Sequence, residues 1–143
     1  MKIAIASGYF NPIHPGHINY FRLASRHADL LWVIVNSDLQ AELKRGTPSF
    51  QNEKDRMQIV SAIKYVDEAF LSLDKDATVC STLTDLYDEA VDRYGYKNIE
   101  LIFAKGGDRF SSEIPEAEIC RKLGIEIVDG LGSKTHNSSD LIK

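Results

Sequence analysis

The chain of 143 residues carries 17 Lys and Arg against 21 Asp and Glu, a formal charge of −4, with 43% hydrophobic and 27% charged residues. These proportions are those of one globular domain that buries roughly two thirds of its unfolded surface, and they exclude disordered and collagen-like chains. No stretch approaches the ~18 consecutive apolar residues of a membrane span, the opening MKIAIA has no leader pattern, and the acidic balance disfavours a general nucleic-acid binder; a cytoplasmic protein is expected. In chain order, residues Lys2 to Ala6 read as a short buried strand, and Ser7 to Gly16, with Gly, Asn and two prolines, as a loop. His17 to Ala28 suits a largely buried helix, and the continuous apolar run LLWVIV from Leu30 to Val35 suits a strand covered on both faces. Asp38 to Phe50 is polar, holds Gly46 and Pro48, and reads as a loop. Asn52 to Lys64 is helical, with Met57, Val60 and Ile63 on one side.

The acidic pair Asp67-Glu68 interrupts the apolar residues, so the next strand is centred on Ala69 to Leu73. From Thr78 to Tyr94 a stripe of Val79, Leu83, Leu86, Tyr87, Ala90 and Tyr94 at helical spacing predicts a helix that Gly95 ends. Ile99 to Ala104 is a strand, Pro115 to Leu123 a helix with proline near its first turn, and Ile125 to Val128 a last strand. Five strands alternating with helices predict the α/β class. The expected architecture is a single doubly wound Rossmann-like domain over residues 1–143, with a five-stranded parallel sheet.

In such a sheet, ligands bind beyond the carboxyl ends of the strands where strand order reverses. The loop after the first strand is therefore the most informative. There Gly8 permits close backbone approach, Gly16 leaves room at a helix start, and His14 and His17 lie three apart. Helix-start amides favour a phosphate, and imidazoles can donate to phosphoryl oxygens and stabilise charge that develops on them. Cys80 and Cys120 form no CxxC and have no neighbouring His cluster, which fits reduced core thiols; no protein metal site is predicted. Trp32, inside LLWVIV, belongs to the core.

The string His14-Pro15-Gly16-His17, preceded by Gly8-Tyr9-Phe10-Asn11-Pro12, resembles the HxGH signature of the cytidylyltransferase-like branch of the nucleotidylyltransferases. Further segments are similar to that family: Asp38 to Arg56 with Lys44 and Arg56, Tyr65-Val66-Asp67-Glu68, Lys105-Gly106-Gly107-Asp108, and the closing Asn137-Ser138-Ser139-Asp140. The resemblance implies transfer of a nucleoside monophosphate from CTP or ATP to a small phosphorylated polyol, sugar or amino alcohol, with release of pyrophosphate. It places His14 and His17 at the α and β phosphates, with Lys44 toward the transferring group. Arg56 and the Ser138-Ser139 helix start then hold the β and γ phosphates. Gly8, Tyr9, Phe10, Asn11 and Gly16 contribute through the loop, and Lys105, Gly106, Gly107, Asp108 and Arg109 through the turn after the fourth strand. Lys134 stands where the family often has an arginine. Mg²⁺ as cofactor and a homodimer are also implied, with no nucleic-acid or membrane partner.

Each position has a plainer reading beside this one. Lys44 suits a solvated loop lysine, Arg56 a surface helix residue paired with Glu53, and Ser138 and Ser139 ordinary helix caps. The alternative functions are an ATP-dependent adenylyltransferase of the heptose-phosphate type and a nucleotide sensor without catalysis. Residues 67–93 hold eight acids and two bases, a local charge of −6, so the remainder carries +2. The acidity is thus concentrated away from the motif loops and leaves room for a focused phosphate site.

Overall fold

Strand residues of alternating orientation divide the core into two layers. In the computed structural model, which describes residues 1–106 and 114–131, Ile3 and Ile5 of β1 (Lys2–Gly8) join Trp32 and Ile34 of β2 (Leu30–Val35) on one face. Leu101 and Phe103 of β4 (Glu100–Gly106) lie on that same face, which is covered by α4 (Cys80–Tyr94) and α5 (Ala117–Leu123). Ala4, Ala6, Leu31, Val33, Val35, Ile102 and Ala104 turn to the opposite face, beneath α1 (Pro15–Ser25) and α3 (Glu53–Ser61). Both faces of the three central strands are buried, which is why those strands read as unbroken apolar runs. The alanines under α1 let Tyr20 and Phe21 pack close to the sheet. Trp32 is 1% exposed, tilted against Phe70 and covered by the Arg93 guanidinium. It is a core residue, as its setting predicts.

All pairings are parallel, in the order β3-β2-β1-β4-β5, with β3 at Glu68–Leu71 and β5 at Glu126–Leu131. The strand order reverses between β1 and β4. This is the doubly wound α/β fold expected, and the crevice at the reversal lies at the ends of Gly8 and Gly106.

One segment departs from the sequence reading. Asp38 to Phe50 is not all loop, because Asp38–Arg45 forms helix α2. Its start is fixed by reciprocal bonds in which Gln40 N donates to Ser37 Oγ and Ser37 N donates to Gln40 Oε1. Gly46, at φ +74, ends it in the left-handed region. The helix reads as a loop in sequence because its leucines, Leu39 and Leu43, are exposed and only Gln40 and Ala41 are buried, so its apolar spacing does not mark an inward face. Boundaries elsewhere move by a few residues. The helix expected from Pro115 starts at Ala117, with Glu116 before it turning its carboxylate to accept from Val79 N at 3.0 Å. Asp67 precedes β3 and extends the ladder with its side chain, its Oδ2 accepting from Leu31 N at 2.7 Å. Among the described residues, no helix is long and apolar enough to cross a membrane.

Candidate functional site

His14 is the N-cap of α1, with extended backbone, and the two histidines cap each other's turn. Gly16 N donates to His14 Nδ1 at 3.1 Å, and His14 N donates to His17 Nδ1 at 3.2 Å. The rings stack with centroids 3.8 Å apart and planes at 23°. Each Nδ1 therefore serves as an acceptor, which in a neutral ring puts the proton on Nε2. The outcome is a stacked pair of rings held in place by the backbone.

This arrangement changes the expected source of phosphate recognition. Pro15 has no amide hydrogen, Gly16 N is taken by His14 Nδ1, and His17 N and Ile18 N both donate to His14 O. The first-turn amides are spent on the cap, and both imidazole Nδ1 atoms with them. Spacing alone could not reveal this, since it shows two histidines at a helix start but not which atoms the backbone consumes.

Phe10 sets the position of His17. It adopts φ 52, is 3% exposed, and stands edge-on to the His17 ring at 5.0 Å. A Cβ on Gly8 would sit 2.8 Å from Phe10 Cζ, so glycine there makes space for this aromatic ring. Burial, and secondarily the charge of His14, pull the His17 pKa down to about 4. His17 is thus neutral at physiological pH and acts as a hydrogen-bond donor, not as a cation. The unfolded chain takes up this proton near pH 6.5, while the folded chain resists until about 4. Stability is therefore expected to fall as pH drops from 6.5 toward 4, by ~2–3 kcal/mol through this residue. Urea denaturation across that range should show the slope in the wild type and a shallower one in His17→Asn.

Arg56 is 0% exposed, so it is not the surface helix residue considered from sequence. Its Nε donates to Gln51 O at 3.0 Å, its NH1 to Tyr9 O at 2.8 Å and Asn36 O at 2.6 Å, and its NH2 to Asp38 Oδ1 at 2.7 Å. One guanidinium thus joins the motif loop, the end of β2, the start of α2 and the turn before α3. Burial opposes ionisation of Asp38, but bonds from Ser49 and Arg56 outweigh it and hold the carboxyl below its ordinary value. Asn11 has a similar structural task, its Oδ1 accepting from Gln51 N at 2.8 Å.

Gln40, fully buried, donates to Asp76 O and Thr78 O and so pins α2 to the loop before α4. One turn later, Lys44 lies with Nζ 4.6 Å from the centre of the Tyr9 ring. Helix α2 thereby delivers a cation to the motif loop. Tyr9 is raised in pKa by burial, with Glu116 adding to the shift and Arg56 opposing it, so its hydroxyl stays protonated. Lys105 and Gly106 stand at the end of β4, across the reversal point. Gly107, Asp108, Arg109, Lys134, Ser138 and Ser139 lie outside the described residues.

Sequence reading missed Asp38, Gln40, Glu116 and Tyr20 as shapers of this site. Gln40 three residues after Ser37 was a legible capping pair. Tyr20 three residues after His17 was visible only as one residue of an apolar face. Among the described residues no three His, Cys, Asp or Glu come together in a way that could hold a metal ion. Cys80 is half-buried, Cys120 is buried, and both thiols are free. Burial raises both, Cys120 to about 12, which keeps them protonated; Cys120 is the core thiol expected, whereas Cys80 sits at the start of α4 outside the core.

Residues 5–131 match the family described as Cytidylyltransferase-like. The bifunctional protein HldE of Gluconobacter oxydans is 26% identical over 129 residues, 89% of this chain and 24% of that protein. An FAD synthase of Thermoplasma acidophilum is 35% identical over 103 residues, covering 68% of this chain and 72% of the relative. The chain thus spans about a quarter of the bifunctional relative and most of the shorter one. Among solved structures, a lipopolysaccharide core biosynthesis protein from Thermoplasma volcanium superposes with a TM-score of 0.65 at 25% identity, covering 92% of this chain and 98% of the other. The chain belongs to the cytidylyltransferase-like family.

Proposed function

We propose that this cytidylyltransferase-like chain transfers a nucleoside monophosphate from a nucleoside triphosphate to a small phosphorylated acceptor. The observation that carries the reading is the stacked His14–His17 pair, whose Nδ1 atoms are consumed by the backbone and whose Nε2 donors are thereby fixed. An acceptor phosphate oxygen attacks the α phosphorus in line. A new P–O bond forms, the bond from the α phosphorus to the α–β bridging oxygen breaks, and its electrons leave with pyrophosphate. A phosphate monoester is already anionic, so no protein base or nucleophile is needed. The protein contributes positioning and stabilisation of charge on the phosphoryl oxygens.

His14 and His17 donate to the α and β phosphates, and Lys44 moves from the Tyr9 face to the transferring group. Lys105 and Gly106, at the end of β4, face the nucleoside side, where Asp108 takes the ribose or base. Gly107 and Arg109 serve that same side, and Ser138, Ser139 and Lys134 hold the distal phosphates. Arg56 acts through the backbone it holds, not on phosphate. The donor set is one of imidazoles and lysines, which suits phosphate oxygens better than a cation. Magnesium therefore enters on the triphosphate, held by its oxygens as a component of the substrate.

FAD contains an adenylyl group, so similarity to an FAD synthase supports ATP over CTP as the donor. The acceptor is a phosphorylated polyol, sugar, amino alcohol or related monoester, and the working unit is a homodimer. Pyrophosphate release should be measured with each of the four triphosphates against a panel of such acceptors. Release with ATP or CTP and at least one acceptor is expected. Nucleotide binding without release under any combination would favour the sensor and overturn the reading.

A further inference from the structure

The register between β1 and β4 runs from Lys2↔Glu100 to Ile5↔Phe103 and stops, whereas β1 stays paired with β2 as far as Gly8↔Val35. Strands β1 and β4 therefore diverge before the motif loop begins. Where they diverge, the Tyr20 hydroxyl accepts from Ser7 N at 3.4 Å and donates to Ala104 O. A side chain from α1 thus occupies the place of the next ladder bond, one bond to each strand. Its ring also packs beside Gly106, where a Cβ would sit 3.4 Å from Tyr20 Cδ1 and 3.3 Å from Leu131 O. Ser7 leads directly into Gly8 and Tyr9, and Ala104 into Lys105 and Gly106. A single buried residue therefore meets both walls of the crevice at their roots.

We propose that Tyr20 is a positioning residue that sets the separation between the histidine loop and the end of β4, and so the fit of a ligand that spans both. The inference rests on the nucleotidyl-transfer reading, in which the phosphates meet the β1 and α2 side and the nucleoside reaches across to Lys105 and Gly106. Burial keeps the phenol protonated, so its donor to Ala104 persists at any working pH. Removing the hydroxyl leaves a buried N–H and a buried C=O unsatisfied at the two strand ends, with nothing between them to hold the spacing. The phosphate donors themselves, on α1 and α2, keep their caps.

The test compares ligands that span the crevice with one that does not. Binding of ATP and CTP, and of inorganic tripolyphosphate, is measured by calorimetry for the wild type and Tyr20→Phe, with KM and kcat for the triphosphate alongside. Tyr20→Phe is expected to bind the nucleoside triphosphate about tenfold more weakly and tripolyphosphate within about twofold of wild type, with the loss in KM exceeding that in kcat. Amide exchange at Ser7 should accelerate in the same variant. If Tyr20→Phe folds poorly, the wild type carries the test: ATP or CTP, and not tripolyphosphate, is expected to slow amide exchange at Ser7, and exchange unchanged by either overturns the role. Equal loss for both ligand types, or none for either, overturns the role of Tyr20. A wild type that neither binds nucleoside triphosphates nor releases pyrophosphate overturns the reaction itself, and this role with it.

Discussion

His17→Asn is expected to lower kcat/KM for nucleotidyl transfer by ~10²–10³-fold, or ~3–4 kcal/mol of transition-state stabilisation, with a small change in folding stability. The reason lies in the two nitrogens of the ring. Nδ1 accepts the His14 amide and holds the turn, while Nε2 is the donor offered to ligand. Asparagine places its amide near the Nδ1 position, so it keeps the cap and loses the distal donor. Glutamine reaches toward the Nε2 position, so His17→Gln should retain more activity while losing ~1 kcal/mol of capping. Alanine loses both. Steady-state kinetics and urea denaturation on the three variants separate the roles. Activity in His17→Asn equal to wild type would remove His17 from the chemistry, whatever the stabilities.

Arg56→Met carries the second large effect, chiefly on stability. Methionine fills much of the volume but makes none of the four bonds, leaving Tyr9 O, Asn36 O and Gln51 O without their donor and Asp38 without its ion-pair partner. Asp38 is partly exposed and can rehydrate, so the cost lies in three backbone carbonyls losing a buried charged donor, together ~3–5 kcal/mol, a fall in Tm of roughly 10 °C or more in a domain of this size. Arg56→Lys should recover only a fraction of this, because an ammonium cannot span partners spread around a planar fork. Catalysis should weaken as well, since the same guanidinium orders the motif loop and the start of α2. A variant with wild-type Tm but a raised KM for triphosphate would instead place Arg56 on the nucleotide. Thermal denaturation beside kinetics decides between these outcomes.

These two residues show where sequence reading reached its limit. His14 and His17 were identifiable because the motif is local: a strand, a glycine-bearing loop and a helix start leave their marks within a dozen residues. Arg56 was located as important, but three of its four partners lie 47, 20 and 18 residues away, and nothing in the helical spacing of residues 53–61 distinguishes an inward arginine from a solvated one.

The five alternating strands and the two buried faces were determined by the sequence alone, because apolar periodicity records burial residue by residue. Tertiary structure decided the rest. Helix α2 turns Gln40 inward to a loop 36 residues on, while its leucines Leu39 and Leu43 face outward. The helix-start amides turned inward to the cap, and the Nδ1 atoms of both histidines with them. Tyr20, apolar by position, became the bridge between two diverging strands. In each case a polar group must find its complement somewhere in the folded chain, and which complement it finds depends on neighbours that only the assembled sheet brings together.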